Sequence, residues 1–259
     1  MTVRAPGSPR RIPLLDEVRG LCVVLMVIYH GLYTIGYLFG GLWARKLFQF
    51  FAPAEPFFAG IFIFLCGLCC VLSRNNWKRG GLLWLVAAGV SVVMALFFPE
   101  TPIWFGVLHL LATGILLFAL TEKGWRHIPT GVGMALCGVL FLLCWRLPVQ
   151  YGPGVFGIPG VWSVPVPGSL IAIPWLYPLG LGRIPGFQSD YFPVLPWIFC
   201  FFAGSFAGRF VKAGKLPAFA RRSHVRPLAF LGRHALMVYI VHQPLIFGTV
   251  WVVYRLMGR

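Results

Sequence analysis

The chain has 259 residues, of which 59% are hydrophobic and only 11% charged, with a formal net charge of +16. Soluble domains carry about 25% charged residues. This composition, with a mean hydropathy of +0.83, therefore excludes an ordinary soluble domain and predicts an all-α integral membrane protein, organised as a single domain over 1–259. The positive charge does not point to nucleic acid: it lies in short loops between apolar runs, where basic residues act as topology signals and meet anionic headgroups.

Residues 1–11 carry Arg4, Arg10 and Arg11 beside Pro6 and Pro9. No short apolar run with a small-residue cleavage site follows, so a removed signal peptide is not expected. The first apolar run, 14–38, begins with Asp16, Glu17 and Arg19 and holds His30 in its middle. An ionisable side chain at membrane depth is costly, so it points to function. Arg19 and His30 are eleven residues apart. That is close to three helical turns, which places both on one face, roughly 16 Å apart along the axis.

Further runs at 51–73, 80–98, 103–121, 130–147, 191–211 and 228–255 bring the expected spans to about seven. The stretch 148–186 is dense in proline and glycine, which disfavours a continuous helix. Its best apolar piece, 169–181, is too short to cross. Residues 148–190 are therefore expected to form a re-entrant or interfacial outer segment. Placing the N-terminus inside puts Arg74, Lys78, Arg79, Lys123, Arg126 and the basic residues across 209–226 on the same side as Arg10 and Arg11. Arg45, Lys46, Arg146 and Arg183 then lie outside. The positive-inside rule favours this arrangement, with a cytoplasmic N-terminus.

All seven cysteines fall inside apolar runs. Cys66-x-x-Cys69-Cys70 has the look of a metal or redox motif, but within an apolar helix cysteine packs as a small hydrophobe, and no structural disulfide is expected. Three histidines, His30, His109 and His242, lie well inside apolar runs at similar expected depths. Histidine is the usual general base near neutral pH. No two of the three share one helix at metal-ligand spacing and no carboxylate joins them, so no metal is expected. Glu55 and Asp190 stand at the outer ends of their spans, where they could orient a histidine or contact an acceptor. Asp190 could equally act as a helix-start acid. On the inner face, Arg74, Asn75, Asn76 and Arg79, with Arg233 at a helix end, offer donors for phosphates. In the last run Tyr239 and Gln243 are four residues apart and share a face next to His242, while Pro244 removes a backbone donor. This polar patch is consistent with a ligand cavity.

The motifs L-D-E-V-R-G…M-V-I-Y-H, F-I-F-L-C-G…S-R-N-N-W-K-R-G, F-G-V-L-H-L, S-D-Y-F-P-V-L-P-W and F-L-G-R-H-A-L-M-V-Y-I-V-H-Q-P resemble the bacterial relatives of heparan-alpha-glucosaminide N-acetyltransferase, in its catalytic-domain family. The resemblance runs in order over nearly the whole chain. The Arg19-to-His30 spacing is also similar to that in the first span of membrane O-acetyltransferases that share a transmembrane acyltransferase fold. The resemblance implies that an acetyl group passes from cytoplasmic acetyl-CoA to a sugar amine or hydroxyl across the bacterial inner membrane. It implies CoA phosphates on the inner basic cluster, His30 as base or transient acetyl acceptor, and a glycan or small-molecule acceptor outside. It leaves the oligomeric state open, a dimer included. The chain departs from the lysosomal members in having no histidine between Gly31 and Leu108, and in carrying His30 where they tend to carry asparagine. A transporter or lipid-binding protein, with the three histidines as a proton relay, is the alternative from a different class.

Overall fold

The structure is a computed structural model that describes residues 12–186 and 190–257. Arg4, Arg10 and Arg11 lie outside the described residues. The fold is mainly helical, and among the described residues six helical segments are long and apolar enough to cross a membrane. The first combines α1 (Pro13–Tyr33) with a π turn (Thr34–Leu38). The second combines α2 (Leu42–Phe51), a tight turn (Ala52–Ala54) and α3 (Glu55–Cys70). It starts earlier than the sequence suggests and runs through the Pro53 region without breaking. The next two are α4 (Asn76–Phe97) and α5 (Val107–Trp125).

The run expected to cross at 130–147 is the 15-residue helix α6 (Thr130–Cys144). It measures about 22 Å, short of a hydrocarbon core of about 30 Å. The run expected at 228–255 divides at His234, whose backbone leaves helical geometry, into α9 (Arg226–Arg233) and α10 (Ala235–Leu256).

Residues 148–186 contain no long helix. They fold back as a layer built from a two-stranded antiparallel hairpin, β1 (Val155–Ile158) and β2 (Trp162–Pro165), the short helix α7 (Gly168–Ile171) and a 3-10 turn (Pro174–Leu179). Val155 pairs with Pro165 and Ile158 with Trp162. Side chains replace the missing ladder. Gln150 both accepts from Ile184 N (3.1 Å) and donates to Ile184 O (3.0 Å), and Arg183 donates to Val149 O through Nε (3.0 Å) and Nη2 (2.5 Å). Cys144, Leu147, Val149 and Val166 form the small core beneath this layer. Tyr177 and Tyr191 stack at 4.4 Å, and Tyr191 Oη donates to Tyr177 O at 2.8 Å. Burial, with the other phenols nearby, pushes both hydroxyls above the usual tyrosine range.

The chain divides into two compact units, one from residues up to Phe62 together with those from Leu216 onward, the other Ile63–Lys215. In the first, α1 packs on α9 with backbones in contact. A Cβ on Gly20 would collide with Leu228 O, and one on Gly232 with Asp16 O. Small residues permit such approach between membrane helices. The buried Glu17 completes the joint. Its Oε1 accepts from Ser223 Oγ (2.7 Å), His224 N (2.6 Å) and Val225 N (3.0 Å), capping the chain just before α9.

The second unit is held by α8 (Val194–Lys212). Gly67 on α3 meets Phe201 O, and Gly204 meets Phe64 O, again leaving no room for a Cβ. The buried Phe201 and Phe206 fill its centre, Phe206 over Gly133 of α6.

Candidate active site

In the first unit, α1 and α10 bring His30 and His242 together, with ring centroids 4.9 Å apart and planes at 66°. His30 Nδ1 lies 3.0 Å from Met26 O, and His242 Nδ1 lies 2.6 Å from Tyr239 O. A carbonyl oxygen only accepts, so each Nδ1 carries the proton, and each neutral ring keeps its lone pair on Nε2. His242 is buried, and its Nε2 has no hydrogen-bond partner among the described residues. Gln243 lies beside it. Its Nε2 donates to Thr34 Oγ1 at 3.2 Å, while its buried Oε1 is likewise unpartnered. Leaving a buried acceptor unsatisfied costs about 1–3 kcal/mol, so two in adjacent residues mark a place built to receive a donor.

Tyr29 stands edge-on to His30 at 5.4 Å, and Tyr239 lies 5.6 Å from His242. Thr34, fully buried, begins the π turn. Such widened turns occur often at functional sites. Thr34 and Tyr29 were not among the residues expected from sequence. The only signal for them is their place beside His30 in Y-H-G-L-Y-T.

Arg19 shares the first unit, but its partners are close at hand. Nη1 pairs with Asp16 Oδ1 at 2.8 Å and reaches Gly232 O at 3.4 Å, tying α1 to the last turn of α9. Arg233 is exposed in that same turn. Glu55, half-buried, is the first residue of α3.

The second unit holds His109, with a different hydrogen-bond pattern. Gly106 N donates to His109 Nδ1 at 3.3 Å, so here the proton sits on Nε2 and points to Ser91 Oγ at 3.5 Å. Ser91 Oγ donates in turn to Ile103 O. Both nitrogens are engaged, and the ring is buried against Phe105 and Trp84. His109 thus caps the start of α5. Asp190 serves the same helix start: its Oδ2 accepts from Val107 N at 3.2 Å, so the helix it caps is α5 rather than the one that follows it in sequence, whose N-cap is Pro193.

The Arg-Asn-Asn cluster also does structural duty. Asn75 caps α4 by accepting from Lys78 N at 2.9 Å, and Asn76 Nδ2 donates to Cys70 O at 2.9 Å. The Arg79 guanidinium lies against the thiols of Cys66 (3.5 Å) and Cys70 (3.9 Å). Arg74 is exposed in the turn between α3 and α4. Among the described residues, no group of three His, Cys, Asp or Glu side chains could hold a metal.

The catalytic-domain family of heparan-alpha-glucosaminide N-acetyltransferase matches the chain over residues 11–244. The chain belongs to that family. No curated protein and no solved structure matches it. Family membership and the six apolar helical segments make this a multi-pass membrane acetyltransferase. The family match spans His30, His109 and His242, and extends two residues past the last of them.

Proposed function

We propose that the protein transfers an acetyl group from acetyl-CoA to an amine or hydroxyl of a sugar-like acceptor, with His30 and His242 at the reacting centre. The observation that carries this is the pair of imidazoles, each with its Nε2 lone pair available by the hydrogen bonding of Nδ1. The Nε2 of His30 removes the proton as the acceptor's nitrogen or oxygen attacks the thioester carbonyl. The carbonyl carbon then loses the CoA thiolate, which takes up a proton. His242 lies close enough to share the charge that develops on His30. The same lone pair on His30 could instead take the acetyl group transiently before the acceptor does. Gln243 Oε1, lacking a donor, is suited to the N–H or O–H of the acceptor. Arg74, Arg79 and Arg233 are the residues proposed to meet the CoA phosphates, with Asn75 and Asn76 shaping the turn. Glu55 and Asp190 remain candidates for contact with the acceptor. The membrane proposed is the bacterial inner membrane, with the N-terminus cytoplasmic.

The deciding experiment measures acetyl-CoA binding and slow thioester hydrolysis by the purified full chain. The wild type is expected to bind and hydrolyse. Arg74→Ala is expected to weaken binding, and His30→Ala to bind but not hydrolyse. No binding at saturating acetyl-CoA, together with substrate flux across proteoliposomes, would replace this proposal with a transporter whose relay is the same histidine pair.

A further inference from the structure

The ends of α5 and α8 in the second unit enclose a cavity of about 290 Å³, beside Val71 just past α3. Its wall combines three cations, Arg126, Arg209 and Lys212, with one carboxylate, Glu122, and with the aromatic faces of Phe118 and Trp125. Arg209 is fixed in place. Nη1 and Nη2 donate to Ile128 O and Trp125 O, both at 2.7 Å, and the guanidinium lies 4.5 Å over the Phe206 ring. A guanidinium has five N–H donors, so these two bonds orient the group without exhausting it. They also place positive charge against the carbonyl of Trp125, the last residue of α5, and that of Ile128 in the turn after it, offsetting the negative end of the helix. Trp125 is oriented by its Nε1, which donates to Thr121 Oγ1 at 2.7 Å. Glu122 holds Arg126 only at 3.7 Å and in the open, a pairing of little strength.

Basic residues placed only to set topology would be spread over solvated loops. Here they converge on a concave site with an apolar floor, and their positive charge exceeds that of the single carboxylate. We propose that this cavity is a binding site for a phosphate ester, lined by none of the residues around the histidine pair and independent of the acetyl-transfer proposal. Its size selects the class of ligand. Drug-sized ligands occupy pockets of roughly 300–1,000 Å³, so this one admits a phosphate and its nearest substituents rather than a whole nucleotide cofactor. Two sources share that chemistry: the headgroup of an anionic phospholipid, its chain lying along Phe118 and Val71, or a small soluble phosphate.

The test is native mass spectrometry of the full chain released from detergent carrying phosphatidylglycerol or phosphatidylcholine, with inorganic phosphate in a third arm. The wild type is expected to retain phosphatidylglycerol at least tenfold better than phosphatidylcholine. The exposed double variant Arg126→Ala/Lys212→Ala, which leaves Arg209 and the helix ends intact, is expected to lose that preference. Inorganic phosphate bound by the wild type and not by the double variant, without lipid preference, assigns the site to soluble phosphates. Equal retention of the two lipids with no phosphate binding would overturn the proposal, as would a preference unchanged in the double variant.

Discussion

His30 and His242 in one unit and His109 in the other are the same side chain under apolar cover, yet their hydrogen bonds run opposite ways. The pair donates from Nδ1 to helix carbonyls, which leaves the lone pair on Nε2, and His242 Nε2 is buried with no partner among the described residues. His109 accepts a backbone N–H at Nδ1 and spends Nε2 on Ser91. The difference teaches that depth in a membrane span does not decide whether a histidine keeps a nitrogen for chemistry. That depends on whether the local backbone and its neighbours engage both nitrogens. A helix start offers unpaired N–H groups to a nearby ring, whereas a helix interior offers only carbonyls, which forces the lone pair outward.

The largest effect that could break this contrast is on turnover. His30→Ala and His242→Ala should each lower acetyl transfer by about 10²–10⁴-fold, the usual worth of a positioned acid–base group, in a radiolabelled transfer assay at matched amounts of folded protein. Full activity in either variant would remove that residue from the chemistry. His109→Ala should do the reverse. It strands the Gly106 N–H and should cost about 1–3 kcal/mol of stability, seen in thermal unfolding, while activity per folded molecule holds.

Gly232→Ala tests what keeps the pair in place. A Cβ there meets Asp16 O, so a loss of about 1–3 kcal/mol from overpacking is expected, with lower transfer following the displacement of α9 from α1. Asp190→Ala removes the other contact at the start of α5 and should cost about 1 kcal/mol, read in thermal unfolding. The smallest effect is in pH. Tyr177 and Tyr191 titrate above their unfolded value of about 10. Their contribution to stability is complete below that pH and declines as pH rises beyond it, so alkaline unfolding should soften in Tyr191→Phe. Separately from any variant, ¹⁵N spectra of the histidines should report Nδ1–H for His30 and His242 and Nε2–H for His109.

Much of this was visible in the residues alone. His30 stood out because charge is rare in so apolar a run, and the family motifs marked both ends of the site. The pairing of His30 with His242 was not visible, since over two hundred residues separate them and only helix packing sets the contact. Thr34 escaped notice because a π turn has no distinct composition. The spacing of Arg19 from His30 is legible in the sequence, but the capping of the turn before α9 by Glu17, two residues earlier, is not, because its partners lie at Ser223–Val225. The short α6 shows the same limit. Apolar content continues to Leu147, but Pro148 biases the preceding residue away from helix, and the chain turns into the layer of the β1–β2 hairpin instead. The capping contact of His109 is hidden from sequence for a related reason: it depends on where α5 begins, not on how apolar its surroundings are.

The π turn at Thr34–Leu38 has a consequence for the phase of the first span. An α-helix advances about 100° per residue, and a π turn takes up one residue more than an α turn. By Leu38, where the span ends, the side chains of the turn have therefore drifted by about that angle from the face they would otherwise share with His30. The turn works as a phase shifter at the end of the span: it sets the direction in which the chain leaves through Phe39 and Gly40 toward α2, and deletion of one residue there would re-aim the start of α2.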